Sequence, residues 1–215
     1  MTDIVGRVTA SKPRRSPKPQ ERQRDPERTR RLILEAAGAE FAAKGYAGAR
    51  IAAIAARAGV NQQLISYYFD GKEGLYRALS DQWAERQREL VAPDMPLSEQ
   101  VRRYALEGST GRDGMRLVAW SGLEYEGAEP DPDHAARTQR LAGSVDQITA
   151  MKADGRLPDW VDPASLTVLL MAAAMAPVTL PNVVEGLTGT DPASPEFVRQ
   201  YADQLARLVE HLGRP

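Results

Sequence analysis

The stretch IAAIAARAGVNQQLISYYFDGKEGL, residues 51–75, decides the fold. Alanines and isoleucines run up to Gly59; Asn61, Gln62 and Gln63 follow at once, and then Tyr67 and Tyr68. Adjacent glutamines add nothing to a core, but they serve where something outside the protein is read by hydrogen bonds. Ile51, Ile54 and Ala55 share one face of a short helix over 50–57, and Ala58-Gly59-Val60 ends it. The turn is too short to fold back as an antiparallel hairpin, so the next helix leaves at a steep angle. Asn61 suits the N-cap of that helix, over 62–68. Along it Leu64, Ile65, Tyr68 and Phe69 form an apolar stripe, and Gln62, Gln63, Ser66 and Tyr67 form the complementary polar one. A side-chain amide pairs bidentately with adenine N6 and N7 in the major groove. A merely solvated face has the same composition; the sharp glycine turn ahead of it favours a reading face.

Outward from this stretch, Asp25-Pro26 is a good helix start, and Ile33, Ala37 and Phe41 recur every fourth residue with Leu32 and Ala36 beside them. A first helix over 26–44 follows, stopped by Gly45. Asp70 with Glu73 has the form of a capping box opening a fourth helix that runs to Leu90. Residues 1–24, with SKPRRSPKPQERQR, are rich in Pro, Arg and Lys without apolar periodicity and read as a disordered basic arm. Residues 1–80 hold 15 Lys+Arg against 8 Asp+Glu, whereas 81–215 hold 13 against 21, although the whole chain nets only −1. A basic first third on an acidic remainder points to a polyanion-binding module.

RRLILEAAGAEFAAKGYAGARIAAIAARAGVNQQLISYYFDGKEGLYRAL, residues 30–79, resembles the DNA-binding domain of TetR-type bacterial transcription regulators. The signposts are the leading ILEAA, Phe41 and Gly45, the AGV turn, the YYF close and the Lys72-Glu73 opening of the next helix. The resemblance implies a three-helix helix-turn-helix domain followed by a larger helical domain for effector binding and dimerisation. It implies that Gln62, Gln63 and Tyr67 face bases, with Ser66 on the same side. Asn61 would sit at a phosphate and Lys72 would reach the DNA backbone. Arg50 adds a cation at a helix N-terminus, where backbone N–H groups already favour a phosphate. Two positions depart from the family pattern: Ala49-Arg50 stand where Thr or Ser is common, and Ser66 stands where Tyr is common. The first loses a hydroxyl cap; the second shortens a phosphate contact, which Tyr67 could take over. Arg14, Arg15 and Lys18 of the arm fit an adjacent minor groove, or else form a tail with only non-specific attraction.

From Leu97 onward the pattern stays helical, with helices expected over 97–109, 113–127, 132–154, 163–178 and 195–212. No strand pattern appears, so the chain is read as all-α: an arm over 1–24, a helix-turn-helix domain over 25–79 and a helical effector-binding and dimerisation domain over 80–215. SLTVLLMAAAMAPV is apolar nearly all round, and Phe197, Tyr201, Leu205, Leu208 and Leu212 make a stripe. Such a helix pair could complete itself against a second subunit, as in TetR-like homodimers, or be the core of a monomer. Met115, Trp120, Tyr125, Met151, Met171 and Met175 are candidates to line an effector pocket, as is Trp160, and equally candidates for ordinary core. Their inventory fits a mostly apolar or aromatic small molecule. Exchanging Leu75 or Trp83 is expected to change inducibility more than DNA affinity.

The chain has no cysteine, only two histidines, no secretory signal and no apolar run long enough to span a bilayer, so a cytoplasmic protein is expected, away from membranes. No cofactor or metal is expected. Glu124, Glu126, Asp131 and His134 could be imagined as a metal site, but Pro130 and Pro132 leave them no fixed ligand face. An enzyme is therefore not expected. The leading reading is a ligand-responsive homodimeric regulator, a repressor, released from a palindromic operator by a small molecule. The alternative is a sequence-tolerant architectural DNA-binding protein with no effector.

Overall fold

A computed structural model describes residues 19–92 and 94–212, with side chains from Pro26 on. Among the described residues there are ten helices and no strand. They are α1 (Pro19–Gly48), α2 (Ile51–Ala58), α3 (Gln62–Phe69), α4 (Gly71–Leu90) and α5 (Leu97–Thr110). α6 (Arg112–Leu123), α7 (His134–Ala153), α8 (Pro163–Thr179), α9 (Pro181–Thr188) and α10 (Pro195–Leu212) follow.

α1 begins seven residues ahead of the expected Pro26 and carries that proline within it. Gln20 to Arg24 are all straight-chain residues that favour a helix. Arg14, Arg15 and Lys18 of the expected arm lie outside the described residues. Gly45 does break the helix, at φ 71° and ψ −179°, before a last turn to Gly48.

α2 ends as expected: Gly59 is left-handed at φ 67°, and Val60 N–H bonds Ala55 O at 3.0 Å, which closes the helix into a tight turn. Asn61 then caps α3, its Oδ1 accepting from Gln63 N–H at 2.9 Å. The capping box at Asp70 does not form. Asp70 is left-handed at φ 58°, makes no side-chain cap bond, and gives its N–H to Ser66 O. It closes α3 rather than opening α4, because the turn between them is only one residue deep and aspartate tolerates this conformation.

Ile33, Phe41, Ile54, Ile65 and Leu75 form the fully buried centre of the first part of the chain, with Phe69, Tyr76 and Leu79 around them. Tyr76 meets both Phe41 and Tyr46 edge-on, with ring centroids 5.3 and 5.0 Å apart. Leu75 is thus core of the helix-turn-helix itself, and its truncation would cost stability rather than adjust a linkage.

The second part has two apolar clusters. Val101, Ala105, Ala174, Ala202, Leu205 and Val209 join α5, α8 and α10; Ile148, Met151, Leu157, Val161 and Leu166 join α7 to the start of α8. The stripe expected on α10 is split. Its packed face is Val198, Ala202, Leu205, Ala206 and Val209, tied to α8 by Tyr201 Oη donating to Ala173 O at 2.6 Å, while Leu208 is exposed. α9 was not expected from sequence, where its Pro and Gly content reads as a connection; it buries no residue and leaves Val183 and Leu187 exposed. No single helix among the described residues is long and apolar enough to cross a membrane.

Candidate nucleic-acid interface and internal cavity

α3 carries the two stripes as its sequence demands. Ile65 and Phe69 are buried, whereas Asn61, Gln62, Gln63, Ser66 and Tyr67 are exposed, Tyr67 by 80%. No described side chain bonds the two glutamine amides, so both can pair with an outside partner. Tyr67 stands edge-on to Tyr68 at 5.1 Å, which braces its ring without engaging the hydroxyl. Asn61 is half engaged: its oxygen caps α3 and only its NH2 remains for a phosphate.

Arg50, at the N-cap of α2, is exposed and offers no side-chain cap. Glu40 of α1 approaches this helix start and accepts the Arg50 N–H. Buried Glu40 takes a hydrogen bond from Lys44 at 2.9 Å, which holds its carboxyl below the ordinary value; burial opposes this, and the Arg50 N–H and the Arg57 charge add to it. A depressed carboxylate stabilises the fold above its ordinary range and loses that contribution as pH falls through its folded value. Glu40→Gln should therefore be less stable than the parent at about pH 7, and the two thermal melts should converge as pH falls through the depressed folded value.

Lys72 is not extended towards solvent. Its Nζ donates to Ala47 O at 3.2 Å and sits over the Tyr46 ring at 4.8 Å, and burial lowers its pKa against the pull of Glu124. A backbone contact to DNA would require it to exchange that carbonyl for a phosphate.

The first part of the chain is fastened to the second at the break in α1. Glu124, at the C-cap of α6, accepts Tyr46 N–H at 2.8 Å and Ala47 N–H at 3.2 and 3.3 Å. Ala42 O, released by the break, accepts from Arg116 Nε at 2.8 Å and Trp120 Nε1 at 3.1 Å. Trp120, expected in a pocket, is thus part of this seam. Tyr125 is exposed, Met151 is locked in the α7–α8 cluster, and Trp160 is exposed; none of the four lines the cavity between α4 and α8. Met115, Met171 and Met175 do.

They line a half-open cavity of about 560 Å³ between α4, α5, α6, α7 and α8. α4 supplies Tyr76, Ser80, Trp83 and Gln87 to its wall, spaced four, three and four residues apart on one face. That spacing was the signal that sequence reasoning passed over; it had named Trp83 for its place on the connecting helix only. Trp83 packs so closely on α6 that a Cβ on Gly114 would lie 1.9 Å from its Cδ1. Trp83 Nε1 and Gln87 Nε2 are buried and have no hydrogen-bond partner. Nearby, Arg86 holds buried Glu107 with two bonds of 2.8 and 3.0 Å, pinning α4 to α5 outside the cavity.

The carboxylates once imagined as a metal site are engaged elsewhere: Glu124 on the α1 break, Asp131 on Arg137 and the Asp133 N–H. No group of three or more potential metal ligands occurs among the described residues.

An exposed amide-bearing helix after a tight turn, on a helical body, has the form of a helix-turn-helix domain. Residues 33–79 match the model of bacterial regulatory proteins of the tetR family, and residues 96–207 match the tetracyclin repressor-like C-terminal domain. The chain belongs to the TetR family. It is 33% identical over 195 residues to the HTH-type transcriptional repressor SCO4008 of Streptomyces coelicolor, covering 86% of this chain and 97% of that protein. It is 29% identical to the HTH-type transcriptional regulator RutR of Escherichia coli K12, covering 86% and 91%. Among solved structures, SCO4942 from Streptomyces coelicolor superposes with a TM-score of 0.70 at 27% identity, covering 87% of this chain and 99% of that one.

Proposed function

We propose that this chain is a homodimeric transcriptional repressor that binds a palindromic operator and is released when a small molecule occupies the α4–α8 cavity. One observation carries the reading: α4 belongs to both halves. Its first turns, with Leu75, Tyr76 and Leu79, are core of the helix-turn-helix, and its next turns, with Ser80, Trp83 and Gln87, are cavity wall. A guest that moves this wall moves the helix on which α3 is packed. The effector acts by population shift, binding better to the conformation in which the two recognition helices are misplaced, and the coupling is reciprocal.

In this reading Gln62, Gln63 and Tyr67 contact bases, Arg50, Asn61 and Lys72 contact phosphates, and Ser66 stands beside them. Met115, Met171 and Met175 contact the effector. The functional division lies between a DNA-binding part, 25–79, and an effector and dimerisation part, 80–215. A second copy is supported by exposed apolar side chains on α8, α9 and α10: Val168, Leu169, Leu187 and Leu208 are 61–81% exposed. Pairing covers those side chains and doubles the base contacts over two half-sites about one DNA turn apart. A cytoplasmic location follows from the operator as partner.

Binding-site selection from a random duplex library, followed by titration at about 50 and about 200 mM salt, tests the reading. The expected result is a palindrome bound at least ~10³-fold more tightly than random DNA. Binding without sequence preference would instead identify an architectural DNA-binding protein.

A further inference from the structure

α6 meets the cavity with one face and the DNA-binding part with the other. Met115, Val118 and Ser121, three residues apart, line the cavity. Arg116, Trp120 and Glu124, four apart on the opposite side, grip the break in α1. Arg116 and Trp120 donate to Ala42 O, and Glu124 accepts the Tyr46 and Ala47 N–H groups. An unbroken α1 would keep these backbone groups in its own ladder; the break at Gly45 frees them for α6.

The two ends of α6 are held differently. At its start Gly114 lies so close to Trp83 of α4 that a methyl group has no room, which pins this end. At the other end Glu124 holds the turn by hydrogen bonds of 2.8 to 3.3 Å. Gly114 and Glu124 lie about 15 Å apart along the helix axis. A tilt of about 4° at Gly114 therefore moves Glu124 by about 1 Å, which takes a 2.8 Å bond out of hydrogen-bonding range. The gripped turn leads directly into α2, where Arg50 is the N-cap. It also holds the start of α4, since Ala47 O accepts from Lys72 Nζ. Moving Tyr46 and Ala47 thus displaces two of the proposed phosphate contacts at once.

We propose that α6 is a lever: a guest in the cavity tilts it about Gly114, and Arg116, Trp120 and Glu124 are the positioning residues that pass this motion through the break in α1 to the start of α2. The inference rests on the cavity being the effector site, and it adds to α4 a second connection between the two parts.

An occupant built into the wall tests this in the full-length protein with the operator obtained by selection. Met171→Trp and Met175→Trp each place an indole in the cavity from α8, which packs on α6. Each is titrated with operator in the parent and in Glu124→Ala, with thermal melts confirming the fold. Trp120→Phe, which removes only the indole N–H, serves as the cut background if Glu124→Ala melts below the assay temperature. In the parent each tryptophan is expected to weaken operator binding about tenfold, within the usual range of coupling between sites. With the clasp cut, the same tryptophan should weaken it by less than about threefold, because the lever no longer grips α1. Hydrogen exchange at the Tyr46 and Ala47 amides should quicken in the filled variants. An equal loss in both backgrounds, or amides that stay protected while operator binding falls, would overturn the lever and leave α4 to carry the signal. Operator binding unchanged by both tryptophans in every background would refute the cavity as the effector site as well.

Discussion

Replacing Gln62 and Gln63 together by alanine should abolish operator selectivity while leaving the fold intact. Both side chains are exposed on α3 and bond nothing among the described residues, and alanine favours a helix at least as well as glutamine. Stability should therefore shift by no more than about 0.5 kcal/mol. Each bidentate amide–adenine pair contributes roughly 1–3 kcal/mol of discrimination, and a dimer loses every pair twice. Specific affinity should fall by at least about a hundredfold, since about 1.4 kcal/mol corresponds to a factor of ten. Affinity for random duplex should hardly change, because in the proposed reading the phosphate attraction comes from cations and backbone N–H groups rather than from the two glutamines. Parallel titrations of operator and random duplex read both quantities. Operator binding within threefold of the parent would remove the glutamines from the reading face and leave Tyr67 and the backbone to carry specificity.

Gly45→Ala should be strongly destabilising. Gly45 combines φ 71° with ψ −179°, a region that side chains other than glycine hardly enter, at a cost of about 1–3 kcal/mol. The new Cβ would also lie 2.2 Å from Glu124 Oε1 and 2.9 Å from Trp120 Cε3. Glu124 would have to leave the Tyr46 and Ala47 N–H groups, and a hydrogen bond to a charged group contributes about 1.5–3 kcal/mol. A total near 4 kcal/mol corresponds to a fall in melting temperature of roughly 10 °C in a chain of this size. Glu124→Ala alone loses only the bonds, so the double variant should be less destabilised than the sum of the two. The seam also ties α6 to α1, so the same variants should weaken the transmission of an effector signal to operator release. A melting temperature within about 2 °C of the parent for Gly45→Ala would show that α1 can pass straight through this point and that the clasp is not needed.

Much of the DNA-binding part was legible along the chain, because its signals are local. Asn61 caps the helix it precedes, Gly59 ends the one before, and the period of Ile65 and Phe69 settles which side of α3 is exposed. Asp70 misled for an instructive reason: the same residue type serves an N-cap or a left-handed helix end, and only the distance between α3 and α4 decides which. The cavity was half legible. Met115, Met171 and Met175 reach it, but Trp120, Tyr125 and Met151 do not, since a bulky apolar residue serves a seam, a surface or a cluster equally well. α9 was invisible because Pro181 and Gly186 carry the punctuation of a loop.

The sequence by itself determined an all-α chain, the position and face of the recognition helix, and the split between a basic and an acidic part. These are properties of residues a few positions apart, for which helical geometry and capping are sufficient physics. Only the tertiary structure decided that Glu124 clasps the break at Gly45, more than seventy residues away in sequence, and that Lys72 folds back on Ala47. It alone brought Trp83 and Gln87 to the wall of a cavity and left their donors without a partner. Such facts depend on which helices meet and at what distance, and a hydrogen bond or a cavity exists only once the chain has brought distant groups together.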